Sequence, residues 1–89
     1  MISKQALRQQ LLDGRFKRVG ELFQHWPVDH WTEVMSKGET NVRKKIGGTF
    51  GFNLRDASDL ASYFDVALNL IIELINAEEE FRKNSKEKH

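Results

Sequence analysis

Apolar residues in this chain recur at three- and four-residue intervals, and glycines together with a single proline cut that recurrence into short pieces. Strict alternation, the mark of a half-buried strand, is sustained nowhere, so the pattern predicts short amphipathic helices. The first runs from about Ser3 to Leu12, with Ser3 as its cap and Leu7 and Leu11 on one face, and it ends at Asp13-Gly14. The second, Phe16 to about His25, sets Phe16, Val19, Phe23 and Trp26 on one stripe before Pro27 stops it. A third, Val28 to Ser36, presents Trp31 and Met35 on one side, with Asp29 near its positive end, and breaks near Gly38.

A fourth helix, Glu39 to Ile46, turns Val42 and Ile46 inward, which leaves Thr40, Arg43, Lys44 and Lys45 for the remaining surface. Gly47-Gly48 ends it. Thr49-Phe50-Gly51-Phe52 is expected as a packed turn, because each phenylalanine left in water forgoes roughly 1.5–3 kcal/mol. Asn53, followed by Asp56 at the positive end of the dipole, caps a fifth helix that carries Leu54, Ala57, Leu60, Ala61 and Phe64 inward. The last helix runs from about Ala67 to Phe81, and Arg82 to His89 reads as a charged, frayed tail. The expected fold class is therefore all-α, five or six helices in a single domain over residues 1–81, with 82–89 outside it.

At 89 residues the chain can build one hydrophobic core. Its 39% hydrophobic and 30% charged residues match a globular protein rather than a disordered or fibrous one. No apolar run approaches the roughly 20 residues that cross a bilayer, so no membrane partner is expected. The absence of cysteine removes disulfides, thiolate zinc sites and thiol nucleophiles, and it suits a reducing compartment. Lys4, Gln5, Arg8, Gln9 and Gln10 interrupt any apolar stretch of the secretory-signal kind, so a cytoplasmic location is expected. The formal net charge of +1 is unevenly spread. Residues 1–45 hold nine Lys/Arg against five Asp/Glu and residues 46–89 hold five against eight, so a polyanion would have to meet a local basic face in the first half.

Pro27 to Ile46 has the length of two short helices and a turn: Trp31, Met35, Val42 and Ile46 knit the helices, and Ser36-Lys37-Gly38 connects them. Two stretches carry a family resemblance. One is Trp31-Thr32-Glu33-Val34-Met35-Ser36-Lys37-Gly38-Glu39-Thr40-Asn41-Val42-Arg43-Lys44-Lys45-Ile46; the other is Leu60-Ala61-Ser62-Tyr63-Phe64-Asp65-Val66-Ala67-Leu68-Asn69-Leu70-Ile71. With them, Phe16 to Ile75 resembles the Cro and lambda-repressor-like (XRE) helix-turn-helix domain. Members of that family show Leu-Ala, an apolar residue and a turn glycine ahead of an aliphatic residue in the recognition helix, and later a closing Leu-Ala, Val and apolar pair. This chain departs from the pattern at Val28, where many members have glutamine, and at Thr32, where alanine is usual. Ser36 stands in place of the turn glycine and Lys37 in place of an apolar residue.

The resemblance implies a lambda-repressor-like helix-turn-helix core at about residues 28–46, in a small DNA-binding transcriptional regulator of bacterial or phage type without enzymatic activity or cofactor. It implies that the recognition helix, about residues 39–46, lies in the major groove of double-stranded DNA and meets base edges through Glu39, Thr40 and Arg43, with Lys44 on a base or a phosphate. Lys37, Arg15, Lys17 and Arg18 are the flanking phosphate candidates. The chemistry of these side chains agrees: arginine pairs bidentately with guanine, threonine bonds a base or touches a thymine methyl, and lysine neutralises phosphate. The competing expectation is a solvated basic face without a ligand.

Other constellations are weaker. His25 and His30 flank Trp26-Pro27 beside Asp29, but the spacing crosses a helix break and no third ligand is evident, so no metal site is expected. Trp26 and Trp31 fall at helical spacing with other apolar residues and are assigned to the core. Asp56 with Asp59, and Glu78 to Glu80, lack the accompanying nucleophile or phosphate loop that catalysis needs. In the last helix Val66, Leu70, Leu74 and Phe81 form one stripe, while Leu68, Ile71, Ile72 and Ile75 widen the apolar surface beyond it. That second face predicts a homodimer through Leu68, Ile72 and Ile75, unless the helix holding Leu7 and Leu11 folds back to cover it. The alternative function is a helical protein-protein interaction module that uses the residue 66–81 surface and binds no DNA.

Overall fold

Local caps fix where the helices begin in the computed structural model, which describes residues 1–36, 38–48 and 51–87. Ser3 accepts a hydrogen bond from the Ala6 N–H at 3.1 Å and starts α1, Lys4–Leu12. Val19–Phe23 forms α2, and Pro27, with its fixed φ, precedes α3, Val28–Met35. Gly38 leads into α4, Glu39–Gly47, which the left-handed Gly48 terminates at φ 95°. Asn53 and Asp56 form a reciprocal capping box at the start of α5, Leu54–Phe64. Asp65, left-handed at φ 54°, ends α5 ahead of α6, Leu68–Glu87. Among the described residues all regular structure is helical. None of these helices is long and apolar enough to cross a membrane.

The core gathers one face from every helix. Leu7 and Leu11 of α1 are buried, and α1 docks on α5. Val19, Leu22, Trp31, Val42, Leu60, Phe64 and Ile71 are fully withdrawn from water. Trp31 meets Phe23 edge-on at 5.0 Å, and Trp26 stacks against Phe64 at 5.8 Å, geometries that aromatic quadrupoles favour. Each indole finds a partner: Trp26 donates to the Ile2 carbonyl at 2.8 Å, and Trp31 to the carbonyls of Phe23 and Trp26. Both tryptophans therefore occupy the core, as their spacing predicts.

Four departures from the sequence expectation follow from specific contacts. Phe16 stays outside α2, because Arg18 is extended and the Glu21 carboxylate accepts from the Lys17 N–H at 2.7 Å, turning the chain there. Leu54 is 65% exposed, since it opens α5 while Ala57, Leu60, Ala61 and Phe64 define the inward face. Lys45 belongs to the interior and not to the surface shared by Arg43 and Lys44, because Asp56 receives its ammonium. The helix expected to stop at Phe81 continues to Glu87, and Arg82 is bonded into the fold rather than frayed. Of the expected packed turn, Phe52 is half-buried and stacks on Phe23 at 5.5 Å, whereas Thr49 and Phe50 lie outside the described residues, as does His89.

Candidate nucleic-acid interface

The connection between α3 and α4 opens at Ser36. Ser36 adopts the left-handed conformation at φ 52°, ψ 42°, and its N–H bonds back to the Thr32 carbonyl. Serine takes there a backbone conformation that glycine adopts without penalty. The Thr32 hydroxyl donates to the Val28 carbonyl at 3.0 Å, one turn back, so its polar group is satisfied within α3.

Across this connection α4 divides cleanly. Val42 and Lys45 are buried and Ile46 packs against the core, while Glu39, Thr40, Asn41, Arg43 and Lys44 are exposed. On the open side Arg43 Nη2 reaches Glu39 Oε1 at 2.9 Å, with both side chains more than half exposed. That hydrogen bond, and then the Arg43 charge, hold the Glu39 carboxyl below its ordinary value. On the closed side Lys45 Nζ meets Asp56 Oδ2 at 2.6 Å and also donates to the Gly51 carbonyl at 3.2 Å. Asp56, with no exposed surface, accepts the Asn53 N–H on the same oxygen, so one carboxylate caps α5 and anchors α4.

The end of α4 is held from α6. Arg82 Nη2 donates to the carbonyls of Lys45 at 2.8 Å and Ile46 at 3.3 Å, and its Nε bonds Glu78 Oε2 at 3.1 Å. Glu78 is 4% exposed, and its other oxygen accepts from the Gly20 N–H at 2.8 Å and from Arg18 at 2.9 Å. Gly20 leaves the space for this approach: a Cβ there would overlap Glu78 Oε1.

The fold therefore brings Glu39, Thr40, Arg43 and Lys44 onto one exposed side of α4. Arg15 and Lys17 are exposed on the segment leading into α2, and Lys37 lies outside the described residues. Arg18 is drawn into the Glu78 pair and covers the Phe81 ring at 3.8 Å, which removes it from the phosphate candidates. Of the expected dimer face, Leu68 is 38% exposed and Ile72 is half-buried, but Ile75 is covered within the chain. The inward stripe of α6 is Ile71, Leu74, Ile75 and Glu78, and Phe81 lies outside it, half exposed. Ile72 and Ile75 line a groove of about 190 Å³ together with Phe52, Leu54 and Ala57. His25 packs edge-on to Phe16 and His30 against Trp26, so each histidine has an aromatic neighbour.

Sequence reasoning missed Lys45, Asp56, Glu78 and Arg82 as a structural set. The available signal was a charged residue inside an apolar series: Lys45 follows Val42 by one turn, and Glu78 follows Leu74 and Ile75. Comparison with protein-family models, curated proteins and solved structures found no match for this chain.

Proposed function

We propose that this chain is a small, non-enzymatic DNA-binding transcriptional regulator of bacterial or phage type, acting in the cytoplasm. In this reading α3 and α4 form a lambda-repressor-like helix-turn-helix, and α4 lies in the major groove. The observation that carries it is the division of α4, where Val42, Lys45 and Ile46 fix one side while Thr40, Arg43 and Lys44 stand open on the other. The left-handed Ser36 supports the same reading, because it lets two short helices meet through a three-residue connection.

Each open residue has work it can do. Arg43 exchanges Glu39 for the O6 and N7 of a guanine, a small sacrifice because an exposed ion pair is worth about 0–1 kcal/mol. Thr40 meets a base edge or a thymine methyl, Lys44 a base or phosphate, and Glu39, released from Arg43, a cytosine amino group. Arg15 and Lys17, with Lys37, supply phosphate contacts. The test is a titration of random duplex DNA at several salt concentrations. Affinity should fall linearly in log–log form as salt rises, and binding that is absent or indifferent to salt overturns the reading.

A second observation favours association with another protein surface. Leu54 is 65% exposed on the groove that Ile72 lines, and Leu68 is 38% exposed on a separate depression with Ser58, Ala61 and Val66. We assign this α5–α6 face to a homodimer through Leu68 and Ile72, which would set two α4 helices about 34 Å apart along DNA. Sedimentation equilibrium should give a dimer for the parent and a monomer for Ile72→Glu. A monomeric parent at micromolar concentration removes the dimer, and a parent that associates with other proteins but not with DNA leaves the interaction-module alternative.

A further inference from the structure

The last carbonyls of a helix have no partner inside it and carry the negative end of its dipole. In α4 the Gly48 N–H covers the Lys44 and Lys45 carbonyls. A cation from a distant helix completes the cap, since Arg82 donates to the Lys45 carbonyl at 2.8 Å and to the Ile46 carbonyl at 3.3 Å. Arg82 is itself held on other sides. Its Nε bonds Glu78, and its guanidinium lies 5.2 Å from the Phe52 ring, which in turn stacks on Phe23 of α2. Glu78 is fixed by the Gly20 N–H and Arg18 at the start of α2. A continuous series of hydrogen bonds thus runs from α2 through Glu78 and Arg82 to the end of α4.

From this juxtaposition we propose that Arg82 is a positioning residue for the exposed face of α4: it sets the direction of the helix rather than meeting DNA itself. The proposal rests on the DNA-binding reading above. Val42 and Lys45 hold the body of α4, and Arg82 holds its end. Bidentate base contacts tolerate displacements of only about 0.5 Å, so a small tilt of α4 spoils the reach of Arg43 while leaving phosphate attraction almost unchanged. Arginine is required because one planar fork must serve Glu78 and two carbonyls together, which a lysine ammonium does poorly.

The experiment uses the full chain, with Arg82→Gln and Arg82→Lys beside the parent. Two measurements are made on each protein: amide hydrogen exchange without DNA, and the affinity ratio between a duplex selected by the parent from a random pool and a scrambled duplex. In Arg82→Gln the amides of α4 should exchange about tenfold faster while those of α1 and α5 hold their parent rates, a local opening rather than a global one. The affinity ratio should fall by about tenfold or more with an unchanged salt slope, and Arg82→Lys should recover part of it. Should Arg82→Gln fail to fold, the same two readouts on Arg82→Lys decide. Uniform acceleration of exchange, or an α4 that exchanges as in the parent together with an intact affinity ratio, overturns the proposal. A parent that discriminates no duplex removes the DNA reading, and with it what α4 is positioned for, while selective exchange in α4 still establishes that Arg82 holds the end of that helix.

Discussion

Arg43 and Lys45 lie two positions apart on α4, and each meets a carboxylate at hydrogen-bond distance, yet the two pairs stand in opposite surroundings. The Arg43 and Glu39 side chains are 62% and 51% exposed, whereas those of Lys45 and Asp56 are 9% and 0% exposed. Water solvates the first pair in either state, so forming it gains little. The second pair has left water, and removal of one partner strands the other in a medium that solvates charge poorly. The comparison shows why one side of α4 is available to a ligand and the other is not. An exposed pair can be traded for a base or a phosphate, and a buried pair is part of the fold.

Both pairs lean on the same core, which includes Val42 and Phe64. Val42→Asp should abolish cooperative folding, and Phe64→Ala should cost about 3–5 kcal/mol, comparable with the whole stability of a small domain. Chemical denaturation followed by circular dichroism reads both. A cooperative transition of Val42→Asp at a denaturant midpoint near that of the parent would place Val42 on the outside of α4 and invert its two sides.

Lys45→Ala comes next, at about 3–5 kcal/mol, because it leaves Asp56 buried without its cation and frees the Gly51 carbonyl as well. The same denaturation series applied to Arg43→Ala should show a change within about 0.5 kcal/mol. Equal losses at the two positions would erase the contrast between the pairs.

A smaller effect is expected at Gly20. The substitution Gly20→Ala forces a methyl group onto Glu78 Oε1, and the carboxylate must move, at about 1–3 kcal/mol. Smaller still is the acid titration of the exposed pair. The Glu39 carboxyl titrates below its ordinary 4.5 in the folded protein, so the contribution of the pair is complete above that value and is lost as pH falls through the lowered one. In Arg43→Gln the Glu39 midpoint, followed by NMR, should move back up toward 4.5. An unmoved midpoint would mean that Arg43 does not hold Glu39 in solution.

The helices were legible in the sequence where local chemistry decides them. Ser3, Pro27, Gly48 and the Asn53–Asp56 box mark helix ends by cap and backbone rules that act within a few residues. Of the residues expected on the open side of α4, Thr40, Arg43 and Lys44 followed from helical spacing once Val42 and Ile46 were turned inward, and Lys45 did not. The charged interior was not legible, because Asp56 lies 11 residues from Lys45, and Arg18 and Gly20, which draw Glu78 into the fold beside its near neighbour Arg82, lie 58–60 residues away. Periodicity alone assigns a lysine to water, and only the fold reveals the acid that meets it. The end of α6 was misjudged for the same reason: Arg82 looks like the first residue of a charged tail until the carbonyls of Lys45 and Ile46, 36–37 residues back, come into view.

In the proposed function the exposed side of α4 meets DNA while its other side serves only the fold. The most direct test combines Arg43→Ala and Lys44→Ala in one protein and measures melting temperature and affinity for the duplex selected by the parent, each over a range of salt. Melting should stay close to the parent, affinity should fall by at least the 1–3 kcal/mol typical of one lost base contact, and the salt slope should shrink by about one for each lost phosphate contact. A double variant that binds the selected duplex as tightly as the parent, with the same salt slope, contradicts the account.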